Sequence, residues 1–167
     1  VPELIPRHAV EGERMELVIR RWHQRVARAG QDSANDGIPR RHDLAVDRHE
    51  YDDFAPYLYV TRDFGQTWTS IAAGLPARGW INVVREHPAN PQVLFVGAET
   101  GLFVTIDAGR HWARFTGMFP TVPVDDLVIH PRDHDLIVAT HGRSLYVLDD
   151  VSWLTAFTPD TLTQGIQ

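Results

Sequence analysis

The chain has 167 residues, 43% hydrophobic and 10% aromatic, which is enough apolar side chain for one sizeable core and too much for a disordered tail. A formal charge of −6 and a pI near 5.8 argue against the clustered positive surface that nucleic acid or an anionic membrane requires, so partners are expected to be protein or neutral. With no cysteine there is neither a disulfide framework nor a thiolate metal site, and no apolar run approaches the roughly 18 residues of a membrane span.

The elements divide near residue 42. In VEGERMELVIRRWHQRVARAG, Met15, Val18, Trp22 and Val26 recur at three- and four-residue steps with charge between them, which predicts an amphipathic helix that Gly30 would end. QDSANDGIPRR, with Gly37 and Pro39, reads as loop. From there the period becomes two. The runs DLAV, YLYVT, WTSIA, INVVREH, VLFVG, LFVT, HWARF, DLVIH, LIVAT and SLYVL, separated by Gly, Pro, Asn and Asp, predict many short strands of an all-β fold. Three segments are expected: 1–42 helical or irregular, 43–157 β, and 158–167 a C-terminal tail. The N-terminus lacks the basic-then-apolar order of a signal peptide, and localisation stays open. Every basic residue is arginine, the mark of a GC-rich genome, so residues 1–42 read either as a helical appendage or as the shifted-frame remnant of a lost blade.

The β segment repeats itself. LYVTRDFGQTW (Leu58 to Trp68) returns as LFVTIDAGRHW (Leu102 to Trp112), placing Asp63 and Asp107 44 positions apart. A third copy, SLYVLDD, aligns Val147 with Val104 and Val60. Between copies, REHPANPQVLFVGAETG aligns with VIHPRDHDLIVATHGRS, matching His87-Pro88 to His130-Pro131. About four short strands per period of 40 to 50 residues is the pattern of β-propeller blades. In the repeated T-x-D-x-G-x-x-W, the carboxylates of Asp63 and Asp107 are suited to accept N–H groups of the following turn, as Asx turns do. Gly65 and Gly109 supply a positive φ, Thr61 and Thr105 add a hydroxyl, and Trp68 and Trp112 lay an apolar ring across the hairpin with an N–H free to find a partner.

These clasps resemble the BNR or Asp-box repeat propellers, which include sialidases, xyloglucan-cleaving glycosidases and the sortilin ectodomain. VDRHEYDDFAPYLYVTRDFGQTW and VATHGRSLYVLDDVSWL look like the closing, C-terminal blades of large bacterial BNR-repeat proteins often called glycosyl hydrolase or sortilin-like. The likeness runs from about Asp43 to Phe157. It implies that the Asp box is a structural turn away from the substrate face, so Asp63 and Asp107 inherit no catalytic role.

Candidate chemistry is sparse. Adjacent acids stand at Asp52-Asp53, Asp125-Asp126 and Asp149-Asp150, but neighbours on a strand point to opposite faces, and a glycosidase needs two carboxyl groups facing one bond. Solvated or turn acids are the expected reading, and no catalytic residue is assigned. A sialidase would need an arginine cluster; Arg48, Arg85, Arg132 and Arg143 lie in no such motif, and GIPRR is a poor imitation of the expected RIP. In HPRDHD, His130 and His134 would share a face only on a helix, which Pro131 opposes, so no metal site is expected. No phosphate loop, nucleophile elbow or zincin pattern occurs, and no cofactor is expected. His141, Gly142 and Arg143 form a polar loop between apolar strands, a candidate binding loop, although a tight turn alone explains the glycine.

One blade reads as whole, from Ile81 to Phe115, with partial units on each side, or about two and a half four-stranded blades of a partial β-propeller. Such a piece is expected to be a non-catalytic binding or interaction module for a protein or carbohydrate ligand, or alternatively part of a glycoside hydrolase with carboxylates outside this chain. Its open faces, with Val83, Phe95, Leu127 and Ile129 partly uncovered, are expected to favour self-association rather than a closed two-state monomer.

Overall fold

The computed structural model describes residues 42–157 except 47, 64 and 118. The expected helix around Met15 to Val26 and the tail 158–167 lie outside the described residues. No helix among them is long and apolar enough to cross a membrane.

Among the described residues three sheets follow one another in sequence. The first contains β1 (His42–Val46), β2 (Tyr57–Thr61) and β3 (Thr69–Ser70). The second contains β4 (Ile81–His87), β5 (Asn90–Ala98), β6 (Gly101–Thr105) and β7 (Ala113–Arg114). The third contains β8 (Val124–Ile129), β9 (Leu136–Thr140) and β10 (Leu145–Leu148). Short 3-10 turns sit at His49–Tyr51 and Val151–Ala156. Within each sheet, spatial order is sequence order, so the chain is a series of meanders and the fold is all-β, a partial propeller with one four-stranded blade.

The described residues form two compact units: 42–44 with 59–70, and 45–58 with 71–157. In the first unit, Tyr59 and Val60 of β2 pair with Ser70 and Thr69 of β3, and β2 is buried along Tyr59–Thr61. The second unit holds β4–β10. The alternation that identified strands in the sequence vanishes in β5 and β6, where Val93–Ala98 and Gly101–Thr105 are buried without interruption. A strand covered on both faces has no polar side to show.

In this second unit, sheet β8–β10 lies on sheet β4–β7. Val83, Phe95, Leu102 and Val104 of one share a core with Val124, Leu127, Leu136 and Val138 of the other, completed by Phe119, Val122, Val151 and Leu154. The expectation that Val83, Phe95 and Leu127 would lie uncovered is therefore overturned; each is buried, and Ile129 is half-buried against the same core. The four-stranded sheet and the three-stranded one face each other, and that suffices to dry these residues. The tight fit depends on Gly97, where an added Cβ would stand 2.6 Å from Val124 Cγ1 and 2.7 Å from Val83 Cγ1.

The registers also adjust the repeat. Phe95 opposite Val104 corresponds to Ile137 opposite Val147, and Leu94 opposite Thr105 to Leu136 opposite Leu148. Leu136 thus matches Leu94, one residue later than the His-Pro alignment implies. Between equivalent pairs, Arg85 opposite Phe95 and Val128 opposite Ile137, the first hairpin encloses one more residue than the second, with a register shift at Glu86/His87.

His87 is 1% exposed; its Nδ1 accepts the Ala89 N–H at 3.2 Å, its Nε2 has no protein partner, and its ring lies 5.0 Å from that of His134. Burial lowers its pKa, and the His134 charge lowers it further against an opposing pull from Asp150.

Two outcomes follow from this packing. Gly97→Ala should lower stability by about 1–3 kcal/mol, because Val124 and Val83 must both move, and a lowered denaturant midpoint will record it. Because the folded pKa of His87 lies below its ordinary value of 6.5, its contribution is complete above that pH. It declines as pH falls below it, since the unfolded chain then binds a proton the fold refuses. His87→Leu should flatten the slope of stability against pH in that window, measured by denaturant titration at several pH values.

Candidate functional site

The repeated clasp is the best-defined polar constellation. In the first copy, the Thr61 hydroxyl donates to Asp63 Oδ1 at 2.8 Å and accepts the Gly65 N–H at 2.7 Å. Asp63 also accepts the Thr67 N–H at 2.8 Å and the Thr67 hydroxyl at 2.6 Å. The Thr67 hydroxyl foremost, with the Thr67 and Gln66 N–H groups and Thr61, holds the Asp63 carboxyl down at about 2.

The second copy repeats the geometry in a drier place. Thr105 donates to Asp107 Oδ1 at 2.7 Å and accepts the Gly109 N–H at 3.1 Å, while Asp107 accepts the Arg110 and His111 N–H groups, both at 3.0 Å. Asp107 is 2% exposed, with the exposed His111 ring against its outer oxygen. Burial pushes this carboxyl up, but hydrogen bonds from Thr105 and His111 outweigh it and leave the pKa lowered. Gly109 has φ +86, and a Cβ there would meet Ile71 Cβ at 2.9 Å. The Trp112 ring does more than cross its own hairpin. Its Nε1 donates to the Ile71 carbonyl at 2.8 Å, 41 residues back.

The third copy has lost the threonine and glycine. Asp150 stands where Asp107 does, at φ 39, and its carboxylate accepts the Ser152 N–H at 3.1 Å, capping the 3-10 turn. The Ser152 hydroxyl is the main reason its pKa is lowered.

The other candidates are scattered. His141, Gly142 and Arg143 are exposed in the β9–β10 turn, where the His141 N–H donates to the Pro123 carbonyl at 3.0 Å and its ring stands 3.2 Å from Asp125. Gly142 has φ +73 with nothing near its missing side chain. Asp53 accepts the Tyr57 hydroxyl at 2.8 Å and lies 3.5 Å from Arg48. Arg132 pairs with its neighbour Asp133. His130 closes the β8–β9 turn through the Asp133 N–H at 3.1 Å, whereas His134 turns to His87, so the dense histidine segment is divided between two places. Among the described residues no cluster of three His, Asp or Glu side chains could hold a metal ion.

Asn82, which the sequence did not single out, and Arg85, which it weighed only for a sialidase arginine cluster, join the two sheets of the second unit. Asn82 Nδ2 donates to the Val124 carbonyl at 2.9 Å. Arg85 donates to the Leu127 carbonyl at 2.7 Å and pairs with Asp126 at 2.8 Å. Both bonds span about one repeat, so aligning polar residues on one blade's first strand against the next would have pointed to them.

These clasps at blade spacing are matched by the Sortilin-Vps10 family (Sortilin, neurotensin receptor 3) over residues 57–161. The chain belongs to the Sortilin-Vps10 family. No curated protein matches it. Among solved structures, the Sortilin-Vps10 chain is similar to the GH74 xyloglucanase from Xanthomonas campestris, with 20% identity and a TM-score of 0.50, over 66% of this chain and 19% of that one. At that identity the likeness shows the fold alone, and the chain spans about a fifth of the xyloglucanase.

The clasps set two expectations. Asp107→Ala should cost about 1–3 kcal/mol by stranding the Arg110 and His111 N–H groups, and Trp112→Phe about 1 kcal/mol through the lost Ile71 bond, both read as shifts in denaturant midpoint. The Asp63 pKa is depressed from 3.8, so its contribution is whole above that pH and is lost as pH falls towards about 2. An acid-unfolding curve of Asp63→Asn should be flatter across that window.

Proposed function

We propose that this chain is a non-catalytic binding module, in which Asp-box blades hold a protein- or carbohydrate-binding surface rigid. The observation that carries this is the employment of the carboxylates. Asp63 and Asp107 are consumed by their own turns, Asp150 by a cap, Asp133 by Arg132 and Asp126 by Arg85. The resolved carboxyl shifts, at Asp63, Asp107, Asp133 and Asp150, are all downward. A glycosidase general acid needs the opposite, a pKa raised towards neutrality. The surface best placed for a ligand is the His141–Arg143 turn with Asp125 beside it, which offers donors and an acceptor on a rigid hairpin.

A second reading, that the chain supplies blades to a glycoside hydrolase, rests on Asp125. Its carboxylate is half exposed near the start of β8 beside His141 and would need a partner carboxyl outside the described residues.

Xyloglucan oligosaccharides and a peptide library, presented to the 167-residue chain, separate the two. Binding without release of reducing sugar, weakened about tenfold or more when His141 and Arg143 are both replaced by alanine, is the expected result. Release of reducing sugar that disappears in Asp125→Asn would instead establish the hydrolase reading.

A further inference from the structure

Where the two sheets of the second unit meet, the fold dictates the protonation state of one side chain. His87 ends β4, fully buried, and its Nδ1 accepts the Ala89 N–H at 3.2 Å. Nδ1 is therefore the bare nitrogen and the proton sits on Nε2, which is itself buried without a hydrogen-bond partner. A second proton can enter only at Nδ1, where it meets the Ala89 N–H head on. The charged groups that face the ring come from two elements: His134 from the β8–β9 turn, with its ring 5.0 Å away, and Asp150 from the approach to the 3-10 turn Val151–Ala156. His134 opposes a charge on His87 and Asp150 favours one. Asp133 and Asp135 of the same turn are engaged elsewhere, by Arg132 and by the Asp150 N–H.

The residues that face His87 are held under strain. His134 has φ +59 and Asp150 φ +39, left-handed conformations that cost a non-glycine residue free energy and persist only while their surroundings hold them. They are also tied to each other. The Val151 N–H donates to the His134 carbonyl at 2.9 Å and the Asp150 N–H to Asp135 Oδ1 at 3.0 Å, so the β8–β9 turn and the start of the 3-10 turn form one piece. The Asp150 carboxylate already accepts the Ser152 N–H, and a charged His87 competes for it. We infer that this contact is an acid-sensitive latch: one proton taken up by His87 breaks its bond to Ala89, draws on Asp150 and releases the turn 130–135 with the start of the 3-10 turn, while β5 and β6 stay paired. Val151 and Leu154 pack in the shared core, so at neutral pH the opening is a rare excursion. Acid makes it frequent, and uncovers that end of the core without unfolding the sheets.

Native-state hydrogen exchange on the 167-residue chain tests this, each rate being divided by that of an unstructured peptide at the same pH. The open piece binds a proton that the closed one refuses. Below pH 6.5, the ordinary histidine value, protection of the Ala89, His134 and Val151 amides should therefore fall by about tenfold per pH unit. It should also lie about 100-fold below that of the β5 amides and be indifferent to dilute urea, to which amides exchanging by global unfolding respond. His87→Gln, which keeps an acceptor for Ala89 but does not titrate, should abolish the fall, and His134→Asn, suited to a left-handed φ, should keep it. In the unaltered chain, imidazole nitrogen NMR shifts should show His87 gaining its proton at the pH where these amides lose protection. Amides of the turn as protected and as urea-sensitive as those of β5, a fall that survives His87→Gln or vanishes in His134→Asn, or a charged His87 with Ala89 and Val151 still protected would overturn the inference.

Discussion

Strands β5 and β6 are dry on both faces, and sheet β8–β10 is organised around keeping one of those faces so. Leu94, Val96 and Phe103 on one side and Phe95, Leu102 and Val104 on the other are all buried. Buried apolar surface stabilises by about 25 cal/mol per Å², but only where atoms touch, and the contact with β8–β10 is as close as it is because Gly97 leaves room for Val124. A sheet cannot supply this cover for itself. The blade is therefore a unit of hydrogen bonding but not of stability.

Polar groups serve the same end. A strand that leaves a buried sheet takes backbone N–H groups with it, and these must find acceptors before the chain reaches water. The threonine-aspartate pair supplies them within a few residues, through a hydroxyl that both donates and accepts. Where the last copy lacks that threonine, Asp150 still accepts an N–H, but from a 3-10 turn whose Val151 and Leu154 join the core. The aspartate has kept its office as an acceptor while the structure it terminates has changed.

Much of this was legible in the sequence. The period of about 44, the strand runs and the T-x-D-x-G-x-x-W clasp each depend on local chemistry, so the turns of Asp63 and Asp107 can be read from their neighbours in the chain. What could not be read were contacts made one repeat away. Gly97 has its reason in Val124, and Arg85, weighed in the sequence only for a sialidase cluster, has its acceptor in the Leu127 carbonyl. For the same reason Val83, Phe95 and Leu127 were expected to lie partly uncovered. Periodicity reports that a strand has an apolar face but not whether two such faces have met. The one-residue offset between Leu94 and Leu136 escaped because identical His-Pro pairs anchor loops of unequal length.

The bonds that cross between repeats all span nearly the same sequence distance: Trp112 to Ile71, Asn82 to Val124 and Arg85 to Leu127. Each stretch of chain is thus tied to the stretch one period away. Such a molecule behaves as a one-dimensional lattice, in which a disturbance is felt by adjacent units and fades beyond them. Hydrogen exchange should accordingly be graded along the chain, slowest in β5 and β6, which are buried from Val93 to Ala98 and from Gly101 to Thr105, and faster in β10, where Leu145 and Val147 are exposed.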